Sequence, residues 1–134
     1  MAAAMIPITR RIGKRILNRV ELAGILVKRV IGLPGDVISP GRNGAIEIDG
    51  ETWQPPSICG KPALPEMGNS RSDHITFEST EVPAGFYFVI GDNLDHSYDS
   101  RTKEFGLVPE RNIRGKALLI YYSPQPSRIG CPIR

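Results

Sequence analysis

Apolar and polar residues follow two different rhythms along this chain. In the first twenty residues Ile8, Ile12, Ile16, Leu17 and Val20 recur near every fourth position with basic residues between them, which predicts an amphipathic helix over 8–20, weakened by Gly13. Beyond Gly24 the rhythm shortens to runs of four to eight residues broken by Gly, Pro, Asn and Asp, the texture of strands and turns. The pattern predicts a buried strand over 25–31, ended by the Leu33-Pro34-Gly35-Asp36 turn, in which Pro fixes φ and Gly supplies a positive φ. Alternation over 45–48, the dipeptide Asp49-Gly50 and a return over 51–53 predict a hairpin. The proline-rich stretch 55–73 reads as a long surface loop; 75–79, 86–90 and 116–122 read as further strands, and 109–113 as one helical turn opened by a proline. The expected fold is therefore mainly β and antiparallel. A basic N-terminal segment occupies 1–23, one β domain 24–125 and a tail 126–134.

Composition narrows the picture. With 134 residues, 40% hydrophobic and 23% charged, the chain suits one globular domain, and its 14 glycines and 12 prolines are scattered without the period of collagen. No apolar run approaches the roughly 20 residues needed to span a bilayer. The net charge of +3 hides an asymmetry: the first thirty residues hold seven Lys or Arg against Glu21, or +6, which leaves −3 for the remainder. An anionic lipid surface would meet the N-terminus first. Nucleic acid is not expected, because no aromatic residues are interleaved with the basic ones for base stacking. Cys59 and Cys131 match no metal-ligand spacing, and whether they form a disulfide is open; His74 and His96 stand alone. No metal or other cofactor is expected.

Two segments concentrate chemistry. In Lys28-Arg29-Val30-Ile31-Gly32-Leu33-Pro34-Gly35-Asp36, adjacent cations sit on a strand, so they must face opposite sides. A lysine held among Val27, Val30 and their neighbours loses hydration of its ammonium form and drifts toward the range of a general base. Alternatively, both cations guard a sheet edge against aggregation. The second segment, Gly91-Asp92-Asn93-Leu94-Asp95-His96-Ser97-Tyr98-Asp99-Ser100-Arg101, holds three carboxylates within eight residues. It lacks the sixth-position Gly and twelfth-position Glu of an EF-hand, and reads as an Asx-rich loop with His96 at its surface. Asp99 and Arg101 are placed to pair across a turn, and Asp92 to reach Arg29 if the segments are neighbours.

Taken together, these segments, with Gly106 and Val108-Pro109, closely resemble the signal peptidase I family over about residues 25–123. The resemblance implies a membrane-associated serine endopeptidase that removes signal peptides, its catalytic domain acting at the outer face of the cytoplasmic membrane as a monomer, with a Ser/Lys dyad in place of Ser-His-Asp. It assigns Lys28 as general base, Ser97 as the hydroxyl that orients it, and Arg29 with Asp92 and Asp99 with Arg101 as supporting ion pairs. Ile25, Leu26 and Val27 become the strand on which an extended peptide docks, with small pockets for small-x-small residues. The family carries its nucleophile in a Ser-Met-x-Pro segment after a membrane helix. No such serine stands in this sequence; the nearest echo, Ala4-Met5-Ile6-Pro7, puts Ala4 at that position, and Leu94 and His96 replace the more usual Arg and Asn. A truncated peptidase predicts the missing helix and serine upstream of Met1, whereas a non-enzymatic remnant predicts peptide binding at the strand edge without cleavage. A self-cleaving repressor domain would need a helix-turn-helix, for which 23 residues are too few.

Overall fold

The structure, a computed structural model, describes residues 3–8, 24–59, 61–62 and 77–133. The helix expected over 8–20 lies outside these apart from Ile8, which ends a strand, β1 (Ala3–Ile8), that the helical rhythm conceals. Next in order come β2 (Gly24–Gly32), β3 (Val37–Pro40), β4 (Ile46–Ile48) and β5 (Glu51–Thr52). They are followed by β6 (Ser57–Ile58), β7 (Lys61–Pro62), β8 (Thr80–Glu81), β9 (Phe86–Ile90), β10 (Val108–Pro109) and β11 (Gly115–Lys116). The described strands form a five-stranded sheet in the order β10-β9-β2-β1-β11, a four-stranded sheet β5-β4-β3-β8 and the small hairpin β6-β7, all antiparallel.

The turn chemistry acts as expected. Gly35 takes φ +97° and the Asp36 N–H donates back to the Leu33 carbonyl at 3.0 Å. Asp49 and Gly50 both take positive φ, the primed geometry that matches the twist of a two-residue hairpin between β4 and β5. Residues 110–112 form a single 3-10 turn with Pro109 as its cap.

Three expectations need correction. The stretch 55–73 is not all loop, since β6 and β7 pair within it. Of the strand expected over 75–79, residues 75 and 76 lie outside the described residues and 77–79 are not in a strand; the ladder to Val37 and Ile38 is made by Thr80 and Glu81, and Phe77 packs its ring on Phe88, centroids 5.6 Å apart. The strand expected over 116–122 is confined to β11, whose Lys116 pairs with Ala4; beyond it 118–120 runs beside 130–133 through three backbone hydrogen bonds and a Leu119–Pro132 bridge. The Cys59–Cys131 disulfide, open on sequence grounds, is formed and joins this C-terminal loop to the β6–β7 hairpin, Cα atoms 5.8 Å apart.

Both faces of the first sheet are covered near β9. Phe88 and Ile90 point into a core with Ile31, Ile38, Ile46, Trp53, Val82 and Leu94, while Val89 joins Val30 and Val108 on the opposite face. Strand alternation demands this division. A register shift between Val30 and Gly32 bulges β2, and Ile31, within the bulge, packs in the main core. One residue further back, the same strand delivers its two cations.

Candidate active site

Lys28 and Arg29 are both buried, at 8% and 1% exposure, so neither guards an edge from solvent. They occupy separate environments, as opposite strand faces require. The Arg29 guanidinium donates through Nε and Nη2 to the two Asp92 oxygens at 2.9 and 3.1 Å, a fork that fastens β2 to the loop after β9. Lys28 donates from Nζ to Ser97 Oγ at 2.7 Å. Val27, expected to help dehydrate Lys28, is 56% exposed; the next side chain along a strand faces away, and the wall beside the amine is built by the 91–101 loop instead. Burial is the main influence on the amine and holds its pKa below the ordinary lysine value; the Asp99 and Asp92 charges oppose this, and the Arg101 charge assists it.

The loop that presents Ser97 is held by its own polar contacts. Asp99, fully buried, receives Arg101 Nε and Nη2 at 2.9 Å each, the Gly91 N–H at 2.9 Å and the Arg101 N–H at 3.2 Å. Burial alone would push the Asp99 carboxyl up, but the bonds from Arg101, Gly91 and Ser97, together with the Arg101 charge, outweigh it and hold the group below the usual carboxylate range. Ser97, two residues away, also helps to hold this carboxyl low. Its hydroxyl oxygen accepts from Lys28. A neutral Lys28 amine held in this way commits one N–H to Ser97 and keeps its lone pair for another proton.

Two contributors escaped the sequence reading. Ser100, 9% exposed, accepts the Val89 N–H on its hydroxyl at 3.0 Å and anchors the far end of the loop to β9. Gly91 leaves the space in which the site closes: a Cβ there would fall 2.6 Å from Ser97 Cβ and 3.2 Å from Lys28 Nζ. The motif contains both residues, but spacing alone does not reveal either role. His96 is exposed, as expected.

The edges of β2 are used unequally. Residues 24–29 pair with β1 on one side, while on the other side β9 pairs only from Arg29 onward. Among the described residues, the β9-side edge of 24–28 has no strand partner, and Ile25 and Val27 stand exposed beside it. The β1–β2 register sets Ala4 opposite Lys28, in a central strand flanked also by β11. Among the described residues, the serine hydroxyl that bonds to Lys28 is that of Ser97.

Comparison with known proteins identifies the family. The signal peptidase family, peptidase S26, matches residues 15–122. Signal peptidase I of Pseudomonas aeruginosa is 31% identical over 132 residues, covering 79% of this chain and 46% of that protein. Signal peptidase I S of Bacillus subtilis is 35% identical over 98 residues, covering 72% of this chain and 51% of that protein. The chain thus spans about half the length of these relatives. A signal peptidase I crystal structure from Enterococcus faecalis shares the fold at a TM-score of 0.55 and 23% identity, over 87% of this chain and 95% of that one. With a family match over most of its length and a buried lysine facing the loop that the match includes, the chain belongs to the signal peptidase family, peptidase S26.

Proposed function

We propose that this chain supplies the base and the peptide-docking edge of a serine endopeptidase that removes signal peptides, with Lys28 as general base. The observation that carries the reading is the buried Lys28 amine, 2.7 Å from Ser97 Oγ, on a strand whose adjoining edge is open among the described residues. A serine hydroxyl needs a base to take its proton, and a dehydrated amine does this near neutral pH without a histidine. Ser97 orients that amine, Asp99 with Arg101 brace the loop that presents Ser97, and Arg29 with Asp92 fix that loop to the strand. An extended peptide docks along Ile25, Leu26 and Val27 as an added strand, and the reaction proceeds through an acyl-enzyme on a serine.

The surroundings fit a membrane-apposed protein outside the reducing cytoplasm. Disulfides such as Cys59–Cys131 persist in oxidising compartments. Leu118, Tyr121 and Tyr122 are 68%, 86% and 74% exposed, side chains suited to a headgroup layer. No helix among the described residues is long and apolar enough to cross a membrane.

A second reading, peptide binding without cleavage, is favoured by one observation: the hydroxyl bonded to Lys28 already has an orienting role, and Ala4 stands opposite the lysine. One experiment separates the two. The chain is incubated with a synthetic signal peptide carrying small residues at −1 and −3, with binding followed by NMR and products by mass spectrometry. Cleavage after position −1 that Lys28→Met abolishes supports the peptidase, and the mass of a trapped acyl-enzyme locates the serine. Binding without products supports the second reading; neither binding nor products overturns both.

A further inference from the structure

We propose that Leu94 is a positioning residue, an apolar peg through which the main core holds Ser97 against Lys28; the proposal rests on Lys28 acting as the base. Leu94 is 4% exposed inside a loop whose neighbouring Asp92, Asn93 and His96 are exposed, and it packs in the cluster of Ile31, Phe88 and Ile90. It is the one aliphatic side chain between Gly91 and Arg101. Polar bonds fasten the loop to the sheet at Asp92, Ser97 and Ser100, whereas the turn 94–96 bonds within the loop, His96 N–H to the Asn93 carbonyl and the Leu94 carbonyl to Arg101, so apolar burial of Leu94 is what ties that turn to the body. The turn Leu94–His96 is 3-10, has no side-chain cap and ends on Ser97. In such a turn positions three apart come round to the same side, so seating residue 94 in the core also sets where residue 97 stands. The Leu94 carbonyl also accepts Arg101 Nη2 at 2.8 Å, and Arg101 in turn holds Asp99, two residues beyond Ser97.

The test follows the titration of the Lys28 Cε and Nζ signals by NMR, which needs no turnover, in the parent chain, Leu94→Ala, Leu94→Val and Leu94→Met. Val82→Ala, from the same core but remote in sequence from the loop, is the control for general loosening. Burial is the main reason the amine titrates low, so a loop released from its peg admits water and raises the midpoint. The expected result is an upward shift of at least half a pH unit in Leu94→Ala, a smaller one in Leu94→Val, and near-parent titration in Leu94→Met and Val82→Ala. Should Leu94→Ala fail to fold, the Leu94→Val shift decides. Equal shifts in Leu94→Val and Val82→Ala, or none in either, overturn the peg while leaving the base intact. An ordinary lysine midpoint in the parent chain overturns the base itself, and the peg with it.

Discussion

Adding one methyl group at Gly91 tests whether the close approach of β9, Lys28 and Ser97 is required. In Gly91→Ala the new Cβ would collide with Ser97 Oγ and sit 2.6 Å from Ser97 Cβ and 3.2 Å from Lys28 Nζ. Carbon atoms ordinarily rest about 3.5–4.0 Å apart, so Ser97 must retreat by roughly 1 Å. That retreat stretches the 2.7 Å Lys28–Ser97 bond by up to about the same 1 Å, which is enough to break it. Overpacking costs about 1–3 kcal/mol and a hydrogen bond to a charged group contributes about 1.5–3 kcal/mol, but retreat relieves part of the first, so a net loss of about 2–3 kcal/mol is expected. Trp53, the one tryptophan and 6% exposed, reports unfolding by fluorescence in urea. The decisive comparison is a double-mutant cycle with Ser97→Gly, which removes the atoms that the methyl meets: the Gly91→Ala cost should shrink by at least about 1 kcal/mol in that background. If the two changes are simply additive, or Gly91→Ala alone leaves the urea midpoint unmoved, the steric reasoning is wrong.

Further predictions concern the charges and the disulfide. Arg101→Met strands the buried Asp99 charge and is expected to cost about 3–5 kcal/mol at pH 7, measured by urea unfolding. Because the Asp99 carboxyl is held low in the folded chain, its contribution is present above the unfolded carboxylate value and is lost as pH falls through the folded one. Unfolding at pH 4 and pH 2 should therefore show the parent losing its advantage over Arg101→Met, and parallel curves would contradict this. For Lys28 the sign reverses: its folded pKa is lowered, so between that value and the ordinary lysine value the unfolded chain binds more protons and stability rises with pH. Lys28→Met should abolish cleavage and flatten that rise, which unfolding at a series of alkaline pH values would reveal. Reducing Cys59–Cys131, which closes a separation of 72 residues, is expected to cost up to about 4 kcal/mol on chain-entropy grounds. Hydrogen exchange should quicken first at the amides of Ile120, Gly130 and Ile133; unchanged protection there would show that the C-terminal loop holds without its bond.

The parts of the fold that were readable from sequence are those where one local signal suffices. β9 coincides with the five-residue apolar run 86–90, and Asp49-Gly50 marks its hairpin because few other dipeptides accept two positive φ values. The failures come where apolar patterning served packing rather than a ladder. Phe77 is apolar because it meets Phe88, and Leu118 and Tyr121 are apolar yet exposed, so neither stretch needed to be a long strand. In the candidate site, alternation foretold that Lys28 and Arg29 would part, but not that both would be buried. The pairings of Arg29 with Asp92 and of Asp99 with Arg101 were offered by charge; the burial that separates a structural pair from a surface one belongs to the assembled sheet. Gly91 and Leu94 act through neighbours distant in sequence, which no spacing rule reports.

The half-open edge of β2 has a kinetic consequence for whatever lies along it. Among the described residues, only five, 24–28, are free to bond outward on that side; two or three of them face outward, each with an N–H and a carbonyl, so a guest receives roughly four to six backbone bonds. At about 1 kcal/mol net each, such a short rail grips weakly, and discrimination must come from the side chains that sit beside it. A guest cut in two divides even these few bonds between its halves. Neither fragment then keeps enough of the rail to linger, so departure need not slow the next arrival.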